Sequence, residues 1–381
     1  MAAAARVLIL TASYGWGHHR VAQVLAAAFK RAGAHPTVVD HFRELVHPAF
    51  DRASREVYYW ILRNASPLWG VAYWLGDQIP TTSRLLLGIN RLGTGKLKRL
   101  LDATAPDLVV TVHATPAAAL CELRRRGHSR HFHATVFTDF VAHTQWIFEQ
   151  VDRYFVPAEE ISNDVVAHGV PRDRVVVSGV PVDEEFWHPH DRSAARLALG
   201  LSARLPVFLL MGGGQGSLGG VEGAVRVLRE MDRSFQALVV AGRGEGFAER
   251  LRHLCRGREG QFRVFGYTES VRQFMAAADL LVTKAGGVTL AEAMAAELPM
   301  VFFGSLPGQE SRNERFATAV GVALVAKSRA ELREAIFRPF DDPSVLPSLR
   351  ENIRRVRRPL AADLVVESLL GKPARLREAA S

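Results

Sequence analysis

Apolar positions along the chain fall into short runs separated by longer mixed stretches. RVLIL (6–10), PTVVD (36–40), DLVVTV (107–112), HATVFT (133–138), RYFVP (153–157) and RVVVSG (174–179) form one series. A second series follows: PVFLLM (206–211), ALVVAG (237–242), FRVFGY (262–267), DLLVTK (279–284), PMVFFG (299–304) and ALVAK (323–327). The runs are brief and rich in β-branched residues, without strict alternation, as expected of strands covered on both faces of a parallel sheet. Candidate helices separate them. Val21, Val24, Leu25 and Ala28 recur at the helical period and make the segment after the first strand an amphipathic helix. Two sets of alternating strands and helices predict an α/β protein of two doubly wound, Rossmann-like domains. The stretch 178–196, SGVPVDEEFWHPHDRSAAR, has proline, charge and no clear period, and is the predicted linker.

A length of 381 residues agrees with two domains. Cys121 and Cys255 lie far apart without metal-ligand spacing and read as buried apolar residues in a reducing compartment. The opening MAAAARVLILTA is read as leading into the first strand, not as a signal peptide, because Arg6 interrupts its apolar run. The net charge of +9 calls for an anionic partner. No basic run interleaved with aromatics marks a nucleic-acid module, so nucleic acid is not expected as a partner. Residues 57–75, VYYWILRNASPLWGVAYWL, concentrate Tyr58, Tyr59, Trp60, Trp69, Tyr73 and Trp74. Arg63, Asn64 and Pro67 argue against a membrane span there. Lys96, Lys98 and Arg99 follow soon after, and aromatic belt plus basic cluster is the makeup of a surface lying on anionic lipid. A buried helix pair followed by a solvated basic face fits the same residues.

Candidate chemistry sits in loops that follow strands, where open α/β sheets bind ligands. SYGWGHHR (13–20) puts two histidines at the mouth of a helix; TDFVAHTQW (138–146) carries Asp139 and His143. MGGGQGSLGG (211–220) and TKAGGVTLAEAM (283–294) are glycine-rich. In the latter, Gly286 and Gly287 precede a helix starting near Thr289, which suits a diphosphate: backbone N–H groups can approach the anion at a positive helix end. Glu292, one turn in, can accept ribose hydroxyls. Residues 214–219 satisfy G-x-G-x-x-G, but ALVVAGR, the next strand, ends without the acid that would hold an adenine ribose, so a nicotinamide enzyme is disfavoured. SLPGQESRNE (305–314) sets Gln309 and Glu310 side by side at a strand end, a pair suited to sugar hydroxyls, with Asn313 one turn on. No D-x-D is present, so no carboxylate pair for a metal on a nucleotide diphosphate is expected. Leaving-group charge would fall to backbone amides, a helix dipole and Lys284.

In order and spacing, these segments resemble the glycolipid glycosyltransferases that include processive diacylglycerol glucosyltransferase and monogalactosyldiacylglycerol synthase. TASYGWGHHRVAQVL, TDFVAHTQWIFEQVDRYFVPAEE, SGVPVDEEF, LLMGGGQG, VVAGR, FGYTESVRQFMAAADLLVTKAGGVTLAEAM and PGQESRN carry the likeness over nearly the whole chain. It implies a GT-B fold of two Rossmann-like domains facing a cleft. Residues 1–179 would form the acceptor and membrane domain and 180–360 the UDP-sugar domain. Residues 361–381 would be a C-terminal helix and tail returning to the first domain. It further implies an inverting transfer of glucose or galactose from a UDP-sugar to diacylglycerol, without metal or cofactor. The enzyme would be cytoplasmic, peripherally bound at the inner face of the cell membrane.

By the same match His18 is the family histidine and the first choice of general base, with Asp139 second or orienting it. Gly17, Gly212, Gly213, Gly214, Arg243, Gly266, Lys284, Gly286, Gly287, Thr289, Glu292, Gln309, Glu310 and Asn313 fall to the donor. His143 and Trp146 join the aromatic and basic residues on the acceptor side. A peptidoglycan glycosyltransferase that builds lipid II has a similar donor loop but another form of first loop, and is the alternative; a non-catalytic nucleotide-sugar sensor is another. One departure stands out. Where relatives tend to have Gly-[IV]-Pro-[IV]-Arg, this chain has GVPVD, placing Asp183 at the arginine and leaving Arg243 or Lys284 to meet a phosphate.

Overall fold

The computed structural model describes residues 4–79, 92–187, 191–214 and 220–371. All twelve apolar runs are strands, and both sheets are parallel throughout. The first sheet holds β1 (Arg6–Thr11), β2 (His35–Asp40), β3 (Leu108–Thr111), β4 (Phe132–Val136), β5 (Arg153–Val156) and β6 (Val175–Val177), in the order β2-β1-β3-β4-β5-β6. The second holds β7 (Val207–Met211), β8 (Gln236–Val240), β9 (Phe262–Phe265), β10 (Leu280–Thr283), β11 (Met300–Phe303) and β12 (Ala323–Ala326), in the order β12-β11-β10-β7-β8-β9. In each sheet the chain steps outward one way and then returns to the other side of its first strand. That places a topological switch point between β1 and β3, and another between β7 and β10.

The described residues divide into two compact units. The first comprises those up to Ile61, Val71–Val182 and those from Arg358 onward; the second comprises Leu62–Gly70 and Asp183–Arg357. In the first unit, Leu8 and Leu10 of β1 meet Leu97 and Leu101 of the helix Thr94–Thr104 in a core shared with Val109 and Leu120. The second unit is built around Phe208, Phe235, Phe262 and Phe337, with Leu280 and Val301 from neighbouring strands. The helix Ala361–Leu370 packs on the helix Trp16–Arg31, where Arg31 and Asp363 pair at 3.1 Å. Gly179, at φ +88°, lies so close to this returning segment that a Cβ there would stand 2.6 Å from Cβ of Arg358.

The 178–196 stretch is not a free linker to its end. The helix Arg192–Ala198 packs on the helix Val271–Ala277, and buried Arg196 donates to the Ala277 carbonyl (3.0 Å) and to Asp279 (2.6 Å). Arg196 looked like linker charge because its partner lies 83 residues away.

The aromatic stretch forms the helices Pro48–Asn64 and Ser66–Gln78. No residue of the second helix is buried although it is rich in apolar side chains, which removes the buried-pair reading for it. Among the described residues, no helix is long and apolar enough to cross a membrane.

Candidate active site

The first constellation stands at the β1/β3 switch point. β1 runs into a turn in which Gly15 adopts φ +97°, a conformation open to glycine, and the helix Trp16–Arg31 starts immediately afterwards. His18 therefore sits in the helix's first turn. Its Nδ1 lies 2.9 Å from the carbonyl oxygen of Val112, directly beyond β3, and 2.8 Å from Thr138 Oγ1, beyond β4. A carbonyl only accepts, so Nδ1 carries the proton and Nε2 is the basic nitrogen of the neutral ring. The ring of His113 meets that of His18 edge-on at 4.7 Å, and Trp146 lies 6.0 Å away. Loss of solvent holds the His18 pKa below its ordinary value, with the negative charge of Asp139 and the Val112 bond opposing in part. Asp139 thus acts on His18 through its charge, while Val112 and Thr138 orient the ring.

Two members of this group escaped the sequence reading, Thr138 and His113. His113 caps the helix Ala114–Arg125 by accepting from Thr115 N at 3.1 Å, and burial keeps its pKa well below the usual range, with the charge of His18 adding to the effect. The available signal was position: a histidine directly after the apolar run 107–112.

One acceptor-side assignment is corrected. His143 is buried and structural: its Nδ1 accepts from Gln145 N (3.1 Å), leaving Nε2 to donate to the Tyr73 carbonyl (3.2 Å). Trp146 is half-buried against Phe137 at 5.1 Å and lies beside the His18 ring. The other aromatics divide. Tyr58, Tyr59, Trp69 and Tyr73 are half-buried, whereas Trp60 and Trp74 are 61% and 57% exposed, beside exposed Val57, Leu68, Val71 and Leu75. The basic residues lie on a helix whose inner side is core. Lys96 donates to the Val46 carbonyl (2.7 Å), Lys98 pairs with Asp102 (2.6 Å), and Arg99 is exposed.

The second constellation stands at the β7/β10 switch point. Gly212 is buried at the end of β7, and Gly213 takes φ +75° with Lys284 so close that a Cβ would lie 3.2 Å from its Cε. Gly214 accepts from Arg243 N at 3.2 Å, and the Arg243 guanidinium lies 3.8 Å over the ring of Tyr267, the neighbour of half-buried Gly266. Residues 215–219, which complete the G-x-G-x-x-G pattern, lie outside the described residues. Beyond β10, Gly286 opens the helix Gly287–Ala295, whose first turn carries no acid, so its amide end keeps its positive potential. Thr289 and Glu292 are half-buried on that helix.

The loop after β11 is drawn onto this one. Ala285 N donates to Ser305 Oγ (3.0 Å), Glu310 accepts from Leu306 N (2.7 Å) and pairs with Lys284. Gln309 begins the helix Gln309–Ala319 behind Gly308, which takes φ +100°. Asn313 is fully buried and donates to the Ala285 carbonyl at 2.9 Å, so it clamps the loop and is withdrawn as a donor contact. Buried Glu310 likewise has both oxygens engaged by the protein, which gives it a hold on Lys284 rather than a free edge for sugar. Gly17 belongs to the first unit, in the first turn of the His18 helix. Asp183 accepts from Glu185 N at 3.1 Å and starts the turn Glu184–Trp187. Among the described residues no group of three or more His, Cys, Asp or Glu side chains could hold a metal ion.

The fold is that of known GT-B glycosyltransferases. MurG from Acinetobacter baumannii superposes with a TM-score of 0.64 at 15% identity, covering 97% of this chain and 100% of that one. HepE from Anabaena in complex with UDP and glucose gives 0.58, also at 15% identity, over 97% of this chain and 100% of its own. Residues 18–182 match the family described as monogalactosyldiacylglycerol (MGDG) synthase, and residues 207–342 match glycosyl transferases group 1. A processive diacylglycerol beta-glucosyltransferase of Bacillus cytotoxicus is 30% identical over 96% of this chain and 93% of its own. One of Bacillus cereus is 29% identical over 96% and 94%. The chain belongs to the diacylglycerol glycosyltransferase family.

Proposed function

We propose that this protein transfers a hexose, glucose or galactose, from a UDP-sugar to diacylglycerol with inversion at the anomeric carbon. The observation that carries the reading is the fixed tautomer of His18, whose Nδ1–H donates to the Val112 carbonyl and leaves Nε2 to take a proton. The acceptor hydroxyl is neutral and needs such a base as its oxygen attacks C1. The proton passes to Nε2, the new C1–O bond forms, and the bond from C1 to the UDP oxygen breaks from the opposite face. The negative charge that grows on the departing diphosphate meets the amide end of the helix Gly287–Ala295, with Lys284 and Arg243 near the same loops. Glu292 accepts from the ribose and Gln309 reads the sugar. No metal has a step in this scheme.

The acceptor is a membrane lipid, and the exposed row Val57, Trp60, Leu68, Val71, Trp74 and Leu75 supports peripheral attachment to the inner face of the cell membrane. Incubation with diacylglycerol vesicles and UDP-glucose or UDP-galactose, followed by detection of glycolipid, tests the reading. A product formed only from UDP-N-acetylglucosamine and a lipid-linked sugar would move it to the peptidoglycan branch, and binding of UDP-sugars without any transfer would make it a sensor.

A further inference from the structure

The amino edge of the second sheet, away from the glycine loops, carries a cavity of about 370 Å³ lined by Arg192, Arg196, Arg204, Asp279 and Phe340. Its charges do not balance. Asp279, the one acid among the described lining residues, directs Oδ2 to Val207 N (2.7 Å) and Arg196 (2.6 Å), and pairs with Arg192 as well. Arg196 is fully engaged, donating also to the carbonyls of Ala277 (3.0 Å) and Ala203 (3.1 Å). One carboxylate therefore faces two guanidinium groups, with Arg204 exposed beside them. Nε of Arg192 is buried with no hydrogen-bond partner, which leaves a desolvated donor uncompensated. Burial, then the charges of Arg196 and Arg350, push the pKa of Arg192 down to about 10, an electrostatic cost that a bound anion would relieve.

We infer that this cavity binds a phosphate-type oxyanion, a free phosphate or a phosphomonoester with a small organic part, held by Arg192 and Arg204. Guanidinium groups match the oxygens of a phosphate in paired hydrogen bonds, and the volume admits such a group with a few further atoms. The site is separate from the donor loops. Strands of four or five residues, rising about 3.3 Å per residue, put roughly 13–17 Å between the two edges of the sheet. A bound anion would tie the helix Arg192–Ala198 and the segment before β7 to the sheet edge, and its effect is stabilisation of the second unit.

The test is thermal unfolding of the full chain with UDP saturating, so that phosphate cannot act at the donor loops. Inorganic phosphate is titrated against chloride at constant ionic strength. Melting temperature should rise saturably with phosphate and not with chloride. Arg204→Gln, an exposed change, should raise the half-saturating concentration at least fivefold while leaving stabilisation by UDP unchanged; Arg192→Gln should abolish the phosphate effect. Should Arg192→Gln fail to fold, Arg204→Gln decides. Glycerol phosphate and vesicles containing phosphatidic acid form the remaining arms: a response to the vesicles alone, lost in Arg204→Gln, identifies a lipid headgroup as the source. A phosphate response no greater than that to chloride, with none to the vesicles, overturns the inference. So does an unchanged response in Arg204→Gln.

Discussion

Nδ1 of His18 lies 2.9 Å from the carbonyl oxygen of Val112, and this contact decides which ring nitrogen is basic. If Nε2 takes the acceptor proton, His18→Ala lowers turnover by a factor on the order of 10²–10⁴. UDP affinity changes little, because the donor loops belong to the other unit. His19→Ala is milder, since His19 bonds instead to Gln23 Nε2 (3.2 Å) on the outer flank of the helix. Turnover, UDP binding and melting temperature measured on both variants check this. A folded His18→Ala enzyme with normal turnover would transfer the base to Asp139.

The same environment sets a pH dependence. Desolvation holds His18 below the pKa of about 6.5 of a free imidazole, so the base stays available as the medium turns mildly acidic. The acidic limb of kcat/KM is expected below pH 6.5. A limb at or above that value would show that another group limits the reaction or that the ring is solvated.

Acid should also weaken the fold. Burial pushes His41 down to about 4 and His133 down to about 3. Below about pH 6.5 the unfolded chain takes up protons at both positions while the native one does not, so the unfolded state binds more and stability falls with pH. The slope is on the order of 1.4 kcal/mol per pH unit for each histidine. It runs from about 6.5 to about 4 for His41 and on to about 3 for His133. Urea unfolding at several pH values should show the decline, and His41→Asn should flatten part of it. Equal slopes in variant and parent would clear His41 of the effect.

The two donor-side glutamates should separate kinetically. Glu292→Ala removes the proposed charge-assisted bond to ribose, worth roughly 1.5–3 kcal/mol, and weakens UDP itself. Glu310→Gln loosens Lys284, so it should impair use of the UDP-sugar more than binding of UDP. Calorimetry with UDP beside steady-state kinetics reads both; equal losses for the two ligands in Glu310→Gln would argue against this division.

Replacing Trp60 and Trp74 together by serine should reduce sedimentation with phosphatidylglycerol vesicles by tenfold or more, since each aromatic buries on the order of 1.5–3 kcal/mol of apolar surface when fully covered. The remaining binding should fall as salt rises, because exposed charges are screened over about 8 Å at physiological ionic strength. A double variant that binds like the parent would return both tryptophans to an ordinary surface.

The sheets were legible because a parallel strand covered on both faces must be apolar almost throughout, and all twelve such runs are strands. The loops at strand ends were legible for the same reason. What local pattern does not carry is which strand lies beside which. Val112 reaches His18 across 94 residues only because β3 neighbours β1. His113 and Thr138 share that dependence. Asn313 and His143 misled in the opposite direction: a polar residue in a loop has the same local appearance whether it faces a ligand or caps buried backbone, and here their partners are the Ala285 and Tyr73 carbonyls.

The stapling of the apolar helix Ser66–Gln78 to the loop beyond β4 has a mechanical consequence. His143 reaches the Tyr73 carbonyl (3.2 Å), Thr144 N donates to Asp77 (2.9 Å), and Gln145 donates to the Gly76 carbonyl (2.9 Å). The next residue, Trp146, is the one set beside the His18 ring. Three hydrogen bonds thus connect the helix that would rest in lipid to the three residues directly before the indole that borders the base. With that helix in a bilayer as proposed, its depth and tilt would bear on Trp146 through these bonds, and through Trp146 on how the His18 ring is held.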